Sequence, residues 1–386
     1  MVYDFDHAVQ RKNSAKWLEM DKRFGTNDLL PFHFADMDFI APQPIIDALA
    51  ERAQEGVYGY AYRPDSYFEA IQAWFFIHHN WRLERETLLF SPSVIAGMVM
   101  IIQELTQPGD NIVVQSPVYP PFYDAVRNTG RTLLLNPLVE ENGRFVMDYD
   151  GLERLMRQNV KMLLLCSPHN PVGRVWTRAE LERLGEICLA HGVRIFSDEV
   201  HADIVYQSHV HIPIASLSKE LSKICITCIA PNKTFNLAGL QGATLVMEYE
   251  HERRLFDTSL GTLDIRRNNV FSLVAVEAAY RHGGEWYTQL LRYLNENREL
   301  VRQFFEDEPY GIRAFDMEGT YLQWLDLRKL GLTEAEIRDR ILLKGKIAMD
   351  TGGRYLTDGF LRMSIGCPRD MLREGLQRLD VALRNL

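Results

Sequence analysis

Ile224-Cys225-Ile226-Thr227-Cys228-Ile229-Ala230-Pro231-Asn232-Lys233-Thr234-Phe235-Asn236-Leu237-Ala238-Gly239 decides how the chain is read. The apolar run Ile224 to Ala230 predicts a buried strand, and the small and turn-forming residues after it predict a sharp reversal. Lys233 stands at that junction. Burying a lysine is costly unless an acid pairs with it or its pKa falls. Two readings are open here: a surface lysine at a strand end, or an amine desolvated so that it forms a Schiff base with a carbonyl compound.

From residue 88 onward short apolar strands alternate with helices, the pattern of an α/β fold with a mostly parallel sheet and right-handed crossovers. Strands are predicted at 111–115, 132–136, 161–166, 193–197, 223–229 and 243–247. Helices are predicted at 95–106, 119–128, 152–157, 178–191 and 252–260. Ligands of such sheets sit beyond the carboxyl ends of the strands, so segments 167–170, 198–201 and 232–233 are expected to converge on one crevice.

On the amino-terminal side, Pro42 and Pro44 announce a helix over 45–54, a loop rich in tyrosine and glycine (Gly56-Val57-Tyr58-Gly59-Tyr60-Ala61-Tyr62) follows, and 65–80 is helical again. On the carboxyl-terminal side, helices over 268–281 and 285–305 lead into an α+β pattern, with strands at 320–326, 346–349 and 360–365 and helices at 334–343 and 370–383. The expected organisation is an arm over 1–40 that joins the small domain, a large domain over 41–280, and a small domain over 281–386.

A chain of 386 residues with 46% hydrophobic content has ample material for such cores. Its formal charge of −9, with both signs interspersed, offers no basic stripe for a phosphate backbone, so nucleic acid is not expected as a partner. No 18-residue apolar run is present and Met1-Val2-Tyr3-Asp4-Phe5-Asp6 does not read as a signal peptide, so a cytoplasmic protein that does not bind membranes is expected. The five cysteines read as reduced, buried thiols. Cys225 and Cys228 form a CxxC, but a strand aims their sulfurs at opposite faces and no second ligand pair is near, so no metal site is expected.

GxGxxG, GxxxxGK[ST], HExxH and GxSxG are all missing. The remaining chemistry-bearing residues each have a bland reading when taken singly. Asp198 serves as a helix cap, Asn170 as a turn residue before Pro171, His201 as a core histidine and Tyr119 as core packing. Tyr60 serves as dimer packing, and Arg362 as a sheet-edge arginine, although Leu361 and Met363 beside it argue for burial.

Together, however, Ser167-Pro168-His169-Asn170-Pro171-Val172-Gly173-Arg174, Ser197-Asp198-Glu199-Val200-His201-Ala202-Asp203, Ala230-Pro231-Asn232-Lys233-Thr234-Phe235-Asn236 and Gly359-Phe360-Leu361-Arg362-Met363-Ser364 occur in a telling order. The intervals are 28 residues from Asn170 to Asp198, 35 to Lys233 and 129 to Arg362. With Pro117-Val118-Tyr119-Pro120-Pro121-Phe122 and Ala35-Asp36-Met37-Asp38-Phe39, the chain resembles the fold-type I enzymes of the class I/II aminotransferase superfamily, and most of all the MalY/PatB group of cystathionine β-lyases. The resemblance runs from about residue 30 to the end of the chain.

This resemblance implies the three-layer α/β fold of fold-type I PLP-transferases, with a mostly parallel seven-stranded sheet and a smaller α+β domain, binding pyridoxal 5'-phosphate. Lys233 matches the Schiff-base lysine that also takes the substrate's α-proton, and Asp198 the carboxylate that keeps the pyridine nitrogen protonated. Asn170 and His201 match groups facing the phenolic oxygen, and Tyr119 the aromatic stacked on the ring. The phosphate is expected at the helix start after Ser91-Pro92-Ser93, on the backbone of Val94 and Ile95, with help from Asn232. Tyr60 is expected to reach the cofactor and substrate of a neighbouring subunit, which implies a homodimer with a shared site. Arg362 matches the arginine that clamps the substrate carboxylate, with Ala35 also at the substrate. Two positions depart from many relatives: Ala230 replaces a serine or threonine, and Gln241 an arginine, both of which touch phosphate.

The resemblance implies α,β-elimination from cystathionine or other cysteine S-conjugates, giving a thiol, pyruvate and ammonia. An aminotransferase uses the same residues for the same opening steps and remains the alternative. A second alternative is a regulatory protein that keeps the fold and binds a transcription activator.

Overall fold

The structure is a computed structural model that describes residues 2–7, 9, 11, 13–206, 208–306 and 310–384. The other positions, which the expected arm and two domains include, lie outside the described residues. A seven-stranded sheet runs in the order Leu88–Ser91, Ala243–Met247, Cys225–Ile229, Arg194–Asp198, Val160–Cys166, Asn111–Val114, Thr132–Leu135. Its first two pairings are antiparallel and the other four parallel. The carboxyl ends of the parallel strands therefore share one edge.

The central strands are mostly apolar because both faces are covered, with polar residues such as Lys161 and Arg194 near their amino-terminal ends and Asp198 at a carboxyl end. Met162, Leu164 and Cys166 enter one core cluster while Leu163 and Leu165 enter another, so successive side chains divide between two packed layers. Cys225 and Cys228 divide in the same way, and all five cysteines are free and buried. The flanking helices begin on sequence-encoded caps. Ser93 accepts the Ala96 N–H at the start of Val94–Leu105, and Thr177 and Glu180 form a capping box on Arg178–His191.

A second sheet of four short antiparallel strands runs Arg313–Ala314, Leu322–Asp326, Phe360–Ser364, Asp350–Thr351. The amino-terminal segment joins this region: Leu30–Pro31 pairs in parallel with Ile347–Ala348, and Phe32 accepts the Ser364 N–H. Among the described residues no helix is long and apolar enough to cross a membrane.

Several expected boundaries shift for identifiable reasons. The run 223–229 divides, because Ser218 caps a helix over Lys219–Ile224 and the strand starts only at Cys225. Periodicity alone does not separate a buried helix end from a buried strand. The expected strand 346–349 instead lies mostly on the pairing with Leu30–Pro31, while Asp350–Thr351 joins the four-stranded sheet. Thr320, at φ 67°, precedes its strand, which begins at Leu322. The expected helix 334–343 is one α-turn, Glu334–Glu336, continuing as a π-helix over Ile337–Leu343. Leu88–Ser91 was not foreseen, being four residues long at the sheet edge. A hairpin of Val139–Glu141 and Arg144–Val146 was also not foreseen, although its turn, Asn142-Gly143 with both φ positive, is a strong local signal.

Candidate active site

A cavity of about 250 Å³ lies at the carboxyl edge of the parallel strands. The turn after Val160–Cys166 supplies Asn170 and that strand's end supplies Cys166. Asp198, Val200 and His201 come from the end of Arg194–Asp198, and Asn232 and Lys233 from the turn after Cys225–Ile229. Tyr119 closes one side, its N–H donating to the Asn170 carbonyl at 3.1 Å. Ser93, Val94 and Ile95 open the helix Val94–Leu105, where the first N–H groups have no acceptor within the helix. Ala35 closes the cavity from the amino-terminal segment.

The charged groups are unusually poised. Lys233 Nζ donates to the Ala35 carbonyl at 2.6 Å. Loss of hydration drives its pKa from 10.5 down to about 8; Arg362 adds to the fall, while Asp36 and Asp198 oppose it. Asp198 moves the other way, from 3.8 to about 7, chiefly because it is buried. Among the described residues its carboxylate accepts one hydrogen bond, from the Val200 N–H at 3.3 Å, and the adjacent Glu199 makes ionisation harder. His201 is held neutral by burial, aided by Lys233 and Arg362, and its Nδ1 has no hydrogen-bond partner among the described residues.

Arg362 is 2% exposed and sits behind Asn170 rather than on the cavity wall. Its Nη1 donates to Asn170 Oδ1 at 3.1 Å, and its Nη2 to Asp350 Oδ2 at 2.8 Å and to the His33 carbonyl at 2.7 Å. Nε is buried without a partner among the described residues. A carboxylate entering in two parallel hydrogen bonds therefore has to take over a position that Asp350 or His33 now fills. Tyr60 is not brought to the cavity of its own chain. It is 88% exposed, with the Arg267 guanidinium 5.0 Å above its ring.

The segment Ala35–Phe39 covers Lys233 and is held from several directions. The Ala35 carbonyl also accepts the Tyr321 hydroxyl at 2.9 Å. The Asn236 side chain accepts the Met37 N–H at 3.1 Å and donates to the Met37 and Phe39 carbonyls, both at 2.9 Å. Asp38 pairs with Lys16 at 2.5 Å and Arg11 at 2.6 Å, and Asp36 pairs with Arg11 at 3.1 Å.

This sheet, with a lysine turn on its carboxyl edge, can be set beside known proteins. The family described as aminotransferase class I and II matches residues 28–379. The chain is a member of that family. Cystathionine beta-lyase PatB of Bacillus subtilis (strain 168) is 40% identical over 385 residues, covering 98% of this chain and 100% of the relative. The structure of a PLP-bound putative aminotransferase from Clostridium difficile 630 superposes with a TM-score of 0.97 at 46% identity, over 99% of this chain and 100% of that one. Cystalysin from Treponema denticola, whose structure contains pyridoxal 5'-phosphate, gives a TM-score of 0.96 at 32% identity over the full length of both chains. The family, the MalY/PatB resemblance and the fold-type I architecture read from the motifs are thereby borne out.

Several residues of this aminotransferase-family cavity carried no expectation: Ser93, Cys166, Val200 and Ala238 line it, and Asp36 acts on Lys233 electrostatically. Gln241, marked in the sequence only as a departure, is on the wall, held there by a backbone at φ 52° beside Gly242. That departure was the one signal available for it. Ala230 is buried and does not line the cavity.

Proposed function

We propose that this protein is a pyridoxal-phosphate-dependent carbon–sulfur β-lyase that converts cystathionine or another cysteine S-conjugate to a thiol, pyruvate and ammonia. The observation that carries this is the meeting of Lys233, Asp198 and Asn170 on one cavity in a chain 40% identical to a protein named cystathionine beta-lyase.

The residues present fit the cofactor. A buried carboxylate with a single N–H partner and a pKa lifted to about 7 calls for a cation, and a protonated pyridine nitrogen is one. The unpartnered His201 Nδ1 and the Asn170 amide are available to the ring's oxygen, Tyr119 to its face, and the N–H groups of Val94 and Ile95, with Asn232, to the phosphate. Lys233 is the residue that would hold it covalently. When bound, pyridoxal phosphate supplies an electron sink for the charge left on the α-carbon as its proton departs.

The chain's own contribution is proton handling and orientation. With its pKa lowered to about 8, Lys233 Nζ is neutral in roughly a tenth of molecules at pH 7, far more often than an ordinary lysine, so it can take the α-proton and return a proton to the leaving sulfur. Arg362 and Ala35 orient the substrate carboxylate once Arg362 exchanges one of its present contacts. An aminotransferase is the second reading, favoured by the 46% identity to the putative aminotransferase from Clostridium difficile 630. The deciding experiment is incubation of the holoenzyme with cystathionine and no keto acid. Pyruvate over many turnovers supports the lyase, whereas a stall after one half-reaction overturns it in favour of transamination.

The proposal extends to assembly and setting. Tyr60, exposed on its own chain beside Tyr58 and Tyr62, would complete the site of a second copy in a homodimer. The chain would divide into an arm over 1–40, a large domain over 41–280 and a small domain over 281–386, in keeping with the two sheets and the pairing of Leu30–Pro31. Five free, buried cysteines support a cytoplasmic setting.

A further inference from the structure

The turn that carries Lys233 is anchored on both sides of the lysine, and the deeper anchor is a buried carboxylate. Backbone bonds from Phe235 N–H to the Pro231 carbonyl and from Leu237 N–H to the Asn232 carbonyl close the turn but leave Lys233 and Thr234 at its apex. Thr234 Oγ1 donates to Asp203 Oδ2 at 2.6 Å. The other oxygen, Asp203 Oδ1, accepts from Trp74 Nε1 at 3.0 Å and from His79 Nε2 at 2.8 Å. Asp203 is 4% exposed and Thr234 fully buried. Although burial alone would raise it, the Asp203 pKa is lowered, because His79, Thr234 and Trp74 satisfy the ionised form.

We propose that Asp203 is a positioning residue for Lys233, acting through Thr234, with Trp74 and His79 fixing the carboxylate. The carboxylate joins three parts of the fold: the helix Asp65–His79, the loop after Arg194–Asp198, and the lysine turn. The same helix packs on the turn directly, the Trp74 and Phe235 rings lying 5.4 Å apart. A buried, hydrogen-bonded carboxylate is a poor device for stability alone, since apolar substitutes often serve as well, but it specifies geometry. Threonine suits the task because its β-branched side chain has few rotamers, so fixing Oγ1 fixes the backbone that carries Lys233. A displacement of about 1 Å at a reacting group costs on the order of 10²-fold in rate.

This inference rests on the assignment of Lys233 as the cofactor-bearing lysine, and the test separates the two. Thr234→Val keeps the shape and removes the donor, Thr234→Ser keeps the donor, and Asp203→Asn keeps Oδ1 as acceptor for Trp74 and His79 while turning the other bond round, its Nδ2 donating to Thr234 Oγ1. Each is compared with the wild-type holoenzyme by the pH titration of its visible absorbance without substrate, and by kcat and KM. Thr234→Val is expected to keep bound cofactor, to move the titration midpoint, and to lower kcat roughly ten- to a hundredfold with KM within about twofold, and Asp203→Asn to fall between Thr234→Val and wild type in both readouts. Thr234→Ser is expected to restore both readouts to within about threefold of wild type. A Thr234→Val holoenzyme with the wild-type titration and kcat, whatever its melting temperature, overturns the proposal, as does failure of Thr234→Ser to restore them. If Lys233→Ala keeps the visible band, the lysine assignment itself fails, independently of Thr234.

Discussion

The floor and the cover of the cavity are built by opposite means. The floor, at the ends of the parallel strands, has Asp198 with one backbone N–H, Lys233 on a carbonyl, and His201 with a nitrogen unpartnered. The cover, Ala35–Phe39, is held by ion pairs from Arg11 and Lys16 and by the Asn236 amide. Polar groups on the floor are left short of partners, which raises the energy of the empty site and readies it for a ligand. On the cover most are paired, Asp38 by two cations and Asn236 by three backbone groups, which holds it in place. The contrast separates residues that do chemistry from residues that keep the cavity shut, and the two sets should fail differently when altered.

Lys233→Ala should produce the largest effect: loss of kcat by about 10⁴-fold, with the visible absorbance of the holoenzyme gone and the far-ultraviolet circular dichroism unchanged. Asp198→Asn follows, with kcat lowered by about 10²-fold. Its effect on stability has the opposite sign to a cover variant. Because the folded pKa of Asp198 is raised from 3.8 to about 7, the folded apoprotein binds the proton more tightly than the unfolded chain does, so this group's contribution to stability is present below pH 3.8 and lost as pH rises through about 7. The melting temperature of Asp198→Asn apoprotein should therefore gain on wild type as pH rises across that window. No gain would mean that the floor carboxylate is better satisfied than its surroundings indicate.

Lys16→Met tests the cover. Lys16 is 1% exposed and its removal leaves Asp38 with Arg11 alone, so denaturant unfolding should show a loss of roughly 3 kcal/mol. The visible absorbance of the surviving holoenzyme should be retained. Arg11→Gln should be the mildest, about 1 kcal/mol or less, since Arg11 is partly exposed and Lys16 still holds Asp38. A catalytic loss from Arg11→Gln rivalling that of Asp198→Asn would erase the distinction between floor and cover.

The same division marks what the sequence makes legible. The floor is legible because a parallel sheet places the residues just past each strand on one edge, so Asn170, Asp198 and Lys233 are brought together by a general rule. The cover is not: Asp36-Met37-Asp38 and the cations Arg11 and Lys16 are visible as letters, but their pairing is decided by a fold-back that no local periodicity encodes. Arg362 shows the intermediate case. Its apolar neighbours announce burial, yet its engagement with Asp350 depends on two strands packing side by side. Tyr60 is in a loop whose contacts, on a single chain, leave the ring in solvent, so its expected role has no counterpart in the cavity of its own chain.

Asn236 joins the lysine turn to Met37, 199 positions earlier in the chain. The arm that continues from that cover is pinned by Ile347–Ala348, near the other end. During synthesis the cover thus leaves the ribosome long before the turn it closes on, and its anchoring strand comes later still. A nascent or prematurely terminated chain ending before residue 347 carries Lys233 but lacks the strand that pairs with Leu30–Pro31 in the arm leading into its lid. Closing the pocket is a late event in the life of each molecule.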